Sequence, residues 1–143
     1  MYLHPPDPAL AQRLRSVRER WGGDFEVVPA PDWRAIVRSY DGSVVHLTMY
    51  GLPFERVRSR LGRARHVLLV VGGAKVPPDL YGLATLNVAV GHQPHSEVAA
   101  VAVVLAQLRG IPPPRAWPRA RQRIVPRARG KRVISSNAPV GRR

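Results

Sequence analysis

Leu10, Leu14, Val17 and Trp21 recur at helical spacing behind Asp7-Pro8, which reads as an N-cap followed by proline at the first helical position. Gly22-Gly23 ends that helix, and Phe25 to Val28 reads as a short strand. Asp32 then caps a helix whose Trp33, Ile36, Val37 and Tyr40 share one face. Asp41-Gly42 turns into a strand over Val44 to Thr48, and Pro53 opens a further helix. In that helix Phe54, Val57 and Leu61 face inward, while Arg56, Arg60 and Arg63 line the opposite side. The β-branched run from His66 to Val71, bounded by Gly72-Gly73, predicts a buried parallel strand. Pro77 to Tyr81 allows only a short helix, because proline is tolerated in a first turn and not later. Asn87 to Val90 reads as another strand, Gly91 to His95 as a loop, and Ser96 to Leu108 as the longest helix, with Glu97 at its positive end. Arg123 to Val125 is a last extended piece. Strand and helix alternate, so the pattern predicts an α/β fold, a parallel sheet flanked by helices on both faces.

Length and composition narrow this picture. The 143 residues suit one domain, 1–143, and an apolar content of 45% supplies a core. No cysteine is present, which excludes disulfides, cysteine zinc sites, iron–sulfur ligation and thiol catalysis. The longest apolar run, Val98 to Ala106, is far shorter than the roughly 20 residues that span a bilayer. Met1 to Pro6 lacks the basic and apolar regions of a signal peptide, so no membrane association and a cytoplasmic location are expected.

Charge adds a partner class. The 23 Lys and Arg outnumber the 9 Asp and Glu, giving +14, and every acidic residue lies at or before Glu97. Residues 110–143 read as a proline-rich connector followed by a basic C-terminal extension. Such a one-sign block suits a polyanion, since each phosphate neutralised releases counterions; a solvated, solubilising surface is the alternative.

Candidate chemistry lies in two loops. Gly72 to Val76 matches neither a dinucleotide fingerprint nor a P-loop, which argues against nucleotide hydrolysis. This loop and 91–95 each follow a predicted parallel strand, where open α/β sheets bind ligands. His92 and His95 straddle Pro94 with no HExxH and no cysteine partner, so no metal site is expected. Ser96 sits in no nucleophile elbow and reads as a helix cap. His46 and His66, in apolar strands, read as core or edge residues.

Four segments together carry a family resemblance: Val45 to Leu52 (VHLTMYGL), Val71 to Pro77 (VGGAKVP), Asn87 to Ala100 (NVAVGHQPHSEVAA) and Ile124 to Lys131 (IVPRARGK). In order and spacing they resemble the archaeal tRNA cytidine-56 2′-O-methyltransferases of the SPOUT class, and the likeness extends upstream through Arg20 to Gly23 and Asp32 to Arg34. The resemblance implies a C-terminal trefoil knot, a homodimer, and methyl transfer from S-adenosylmethionine to the ribose of cytidine 56 in the T-loop of tRNA. It assigns the cofactor to Leu52, to Gly72, Gly73, Ala74, Lys75 and Val76, and to Gly91, His92, Gln93, Pro94, His95, Ser96, Glu97 and Val98. The sequence departs from the family at Ala74, usually Glu, and at His92, usually Asn. Met1 to His4 aligns within the family's second strand, so an upstream strand and helix with the candidate catalytic arginine are expected to be missing. No catalytic residue is therefore assigned; His92, His95 and Glu97 are the titratable groups near the cofactor loops. A non-catalytic RNA-binding module of the same fold is the alternative reading.

Overall fold

In chain order the elements are β1 (Tyr2–Leu3), α1 (Pro8–Trp21), β2 (Val28–Pro29), α2 (Trp33–Ser39), β3 (Ser43–Pro53), α3 (Phe54–Arg63), β4 (Val67–Val71), α4 (Asp79–Leu83), β5 (Leu86–Ala89), α5 (Glu97–Arg109), β6 (Gln122–Ile124) and β7 (Val133–Ser135). The computed structural model describes residues 1–72, 75–111 and 117–135. Two compact units emerge, one built from residues 1–33 with the chain from 113 onward, the other from 34–112. Part of the proline-rich connector, 112–116, and the basic extension beyond Ser135 lie outside the described residues. Among the described residues, no helix is long and apolar enough to cross a membrane.

In the first unit, β1 and β2 pair in parallel with α1 as the crossover. Asp7 caps α1, its Oδ1 accepting from Leu10 N at 2.9 Å, and Gly22 ends it at φ 77°. Gly22 is required there twice over, since a Cβ would lie 2.6 Å from Pro118 O. The strand expected at Phe25 to Val28 forms instead at Val28–Pro29. Val28 N and Ala30 N donate to Met1 O and Leu3 O at 2.9 Å, so the pairing skips Pro29, which has no N–H to give. An antiparallel hairpin of β6 and β7 completes this unit, its strands aligned Gln122 to Ser135.

The second unit holds a parallel sheet of order β4-β3-β5. Side chains alternate across β3, so Val45 and Leu47 face a core with Phe54, Val57 and Leu61 of α3, Val88, and Ala100 and Val104 of α5. Val45, Val88 and Val104 are fully buried. The three inward positions of α3 fall at i, i+3 and i+7, and Arg56, Arg60 and Arg63 stand exposed on its far side, as expected. Val44 and His46 point to the other face, where α4 lies: the His46 and Tyr81 rings meet edge-on, centroids 4.8 Å apart. The Arg34 guanidinium clamps Asp79 at the start of α4 with bonds of 2.5 and 3.2 Å, and holds its carboxyl below the usual carboxylate range.

Candidate active site

Parallel strands gather their carboxyl ends at one edge, and in the second unit that edge collects three irregular segments. The central one belongs to β3. Leu47 and Leu52 both stand opposite Val88 of β5, so the residues between them form an outward excursion within a strand. Gly51 brings this excursion onto β5, where an added Cβ would collide with the backbone of Asn87 and Val88. Tyr50 at its crest is 73% exposed, and Leu52 is 47% exposed.

On one side follows the loop after β4. At Gly72 a Cβ would meet the Val76 side chain, so these two residues approach closely. Lys75 is exposed and Val76 half-buried, while Gly73 and Ala74 lie outside the described residues. On the other side follows the loop after β5. Gly91 is half-buried, and His92, Gln93, Pro94, His95, Ser96, Glu97 and Val98 are all exposed. Ser96 caps α5 as expected, its Oγ accepting from Ala99 N at 3.0 Å.

Two of these segments are joined directly. His92 Nδ1 lies 2.8 Å from Met49 O, tying the loop after β5 to the β3 excursion. A carbonyl oxygen only accepts, so Nδ1 carries the hydrogen and Nε2 of the neutral ring keeps a free lone pair. His95 Nδ1, at 3.3 Å from Ser96 O, is fixed in the same sense. Among the described residues, no hydrogen bond links Lys75 or Val76 to either of the other segments.

Beneath the excursion sits a buried polar unit that the sequence pattern placed only as core or edge. His46 is fully buried, with Nδ1 at 2.9 Å from Asn87 Oδ1, and Asn87 Nδ2 donates to Tyr81 O at 2.9 Å. Because the amide group is committed to Tyr81, Oδ1 faces the ring and His46 Nδ1 is the donor. Among the described residues, Nε2 is left as a buried acceptor with no partner. Burial pushes the imidazole below its ordinary pKa, against the opposing pull of the Asn87 bond, so the ring is neutral. His66, by contrast, is exposed just ahead of β4.

Met49, Tyr50 and Gly51 were passed over as site residues by the sequence reading. The available signal was a glycine inside an apolar run, which marks a bulge or a close backbone approach.

Basic surface is present in each unit. In α3, Arg56, Arg60 and Arg63 are exposed and lack an ion pair among the described residues. The β6–β7 hairpin carries Arg127, Arg129, Lys131 and Arg132 in its connecting loop, all exposed, with Val125 N donating to Arg132 O at 2.9 Å across its base. The first unit also has a cleft of about 500 Å³ lined by Arg18, Arg119 and Arg121 and, in equal number, by Glu19, Asp24 and Glu26. Its charges balance, and Arg119 is already paired with Asp24 at 2.6 Å, so the cleft lacks the one-sign field of the hairpin.

Comparison with known proteins fits this geometry. The family model of the tRNA ribose 2′-O-methyltransferase aTrm56 matches residues 21–134. The tRNA (cytidine(56)-2′-O)-methyltransferase of Archaeoglobus fulgidus is 44% identical over 135 residues, covering 94% of this chain and 80% of that protein. Its counterpart from Methanopyrus kandleri is 45% identical over 131 residues, 89% of this chain and 74% of the relative. That of Methanosarcina acetivorans is 41% identical over 140 residues, 95% and 79% of the two chains. On this match over most of its length, the chain belongs to the aTrm56 family of tRNA ribose 2′-O-methyltransferases.

Proposed function

We propose that this chain methylates the ribose 2′-hydroxyl of cytidine 56 in the T-loop of tRNA, with S-adenosylmethionine as donor. The observation that carries the reading is the gathering of the β3 excursion and the loops after β4 and β5 at one sheet edge, in a chain 44% identical to a tRNA (cytidine(56)-2′-O)-methyltransferase. The segments suit the cofactor. Gly72 sits where a Cβ would strike Val76, the Cβ position of Gly91 meets, beyond its chain neighbours and among the described residues, only His95 Cδ2 at 4.0 Å, and Leu52 and Val98 offer exposed apolar side chains. Glycine loops let main-chain groups approach an adenosine and an amino-acid end closely. Leu52, the loop 72–76 and the loop 91–98 are thus the residues that would hold it.

When bound, the sulfonium supplies a methyl group already activated for transfer, so the protein's share is in-line positioning and removal of a hydroxyl proton. His92 contributes to both: its Nδ1–H anchors the loop to Met49 O, and its Nε2 retains the lone pair that can take up a proton. Glu97 and His95 are the other titratable groups on the same loop. The hairpin loop and the α3 arginines offer cationic surface for the RNA backbone.

The reading includes the SPOUT trefoil knot, a cytoplasmic location for a tRNA substrate, and a homodimer. Supporting the last, α5 has no charged residue between Glu97 and Arg109 and leaves Val98, Val103 and Leu105 exposed at 80%, 46% and 47%. Sedimentation should give a dimer at micromolar concentration, and Leu105→Glu should shift it to monomer. The deciding experiment for function is transfer from methyl-labelled S-adenosylmethionine to unmodified tRNA, followed by nucleotide mapping. Label on the ribose of cytidine 56 is expected; label on a base overturns the reading, and tight tRNA binding without cofactor binding favours a non-catalytic RNA-binding module.

A further inference from the structure

Tyr50 is a large ring left in solvent at a point where the backbone is held on every side. Gly51, next to it, is seated against the Asn87–Val88 backbone, and Met49 O, on its other side, is bonded to His92 at 2.8 Å. The ring tilts at 55° against Tyr81, centroids 6.5 Å apart, and Tyr81 in turn meets buried His46 at 4.8 Å. An aromatic series therefore runs from the buried face of the sheet to a ring that is 73% exposed. Exposed apolar surface is common on proteins, but a rigidly seated tyrosine two residues from Leu52, within the proposed cofactor edge, is a platform with a free π-face.

The chemistry of the substrate supplies the occupant. RNA loops are recognised by splaying a base out of its stack onto an aromatic side chain, and a nucleotide held in that way presents its own ribose hydroxyl at the protein surface. We infer that the base of the target nucleotide stacks on Tyr50, which makes this residue the one that docks the nucleotide beside the methyl donor. The inference rests on the methyltransferase reading above. Stacking uses the ring and not the hydroxyl, so phenylalanine should serve as well as tyrosine and alanine should not.

The test compares wild type with Tyr50→Ala and Tyr50→Phe. Steady-state methylation of tRNA should show KM raised roughly 10-fold or more for Tyr50→Ala and near wild type for Tyr50→Phe. Calorimetry should give the same S-adenosylmethionine affinity for all three, which also confirms that the exposed substitution leaves the fold intact. With pyrrolocytosine at position 56, a base analogue quenched by stacking, emission in the complex should be brighter with Tyr50→Ala than with the other two. Equal KM and equal emission in wild type and Tyr50→Ala overturn the inference while leaving the methyltransferase reading standing. Loss of cofactor affinity in Tyr50→Ala also overturns it, because the ring would then serve the cofactor. A wild-type chain that binds S-adenosylmethionine and tRNA yet transfers no methyl group overturns both.

Discussion

Replacing Gly51 by alanine tests the link between strand packing and site geometry. The new Cβ would stand 2.5 Å from Asn87 O and closer still to Asn87 C and Val88 N, whereas ordinary Cβ contacts begin near 3.4 Å. All three atoms are backbone of a central parallel pairing, so no flexible side chain can yield and the excursion must retreat by roughly 1 Å. Overpacking of this kind costs about 1–3 kcal/mol. The alanine also lowers the entropy of the unfolded chain, which returns about 0.4–1 kcal/mol at a position whose φ is not left-handed. A net loss on the order of 1–2 kcal/mol is expected, read as a lower urea midpoint at unchanged m. Activity should fall further than stability, because an error of about 1 Å in positioning reacting groups costs on the order of 10²-fold in rate. Gly62→Ala is the matched control: apart from its own helix, nothing among the described residues lies within 4 Å of its Cβ position, and it should stabilise by about 0.5–1 kcal/mol at full activity. If Gly51→Ala is as stable and as active as wild type, the close approach of β3 to β5 does not hold the site.

His46 is held neutral in the folded state with its pKa below the ordinary value, so the unfolded chain takes up its proton first as pH falls. Stability from this residue is present above about pH 6.5 and declines as pH drops toward the lowered pKa, so the urea midpoint of wild type should fall relative to that of His46→Phe over that range. Ser96→Ala removes the acceptor for Ala99 N and should cost about 1 kcal/mol in stability, with weaker S-adenosylmethionine binding seen by calorimetry. Changing Arg56, Arg60 and Arg63 together to glutamine should flatten the dependence of log tRNA affinity on log salt by roughly 2–3, leaving cofactor affinity alone.

Local chemistry made much of the fold readable in the sequence. Asp7-Pro8 announces α1, Phe54, Val57 and Leu61 announce which side of α3 is buried, and the run ending at Val71 announces a parallel strand, but not the buried one expected: β4 lies at the edge of the sheet, half-buried, with Val71 exposed. Each signal acts within a few residues. The two-residue strand β1 and the short β7 carry too little pattern to detect, and Pro29 concealed which residues of its segment pair. The site was legible only in its loops. Glycines after strands and a capping Ser96 mark 72 and 91–96, but the excursion of β3 is created by a register shift against β5, and the His92 to Met49 bond spans 43 positions. The Asn87 bond that orients His46 spans 41 positions. Such contacts depend on which strands become neighbours, a choice made by the packed sheet as a whole.

Both ends of the β3 excursion are fastened to one residue, Val88, before the chain passes through Pro53 into α3 without a linker. A segment tethered in this way cannot swing as a lid does, since it has no free hinge; it can only be present or be torn from β5 together with the helix behind it. The conformational freedom of its residues is therefore surrendered when the protein folds, not when RNA arrives. Whatever docks on that excursion meets a segment already ordered, and its affinity is not reduced by the entropy of arranging it.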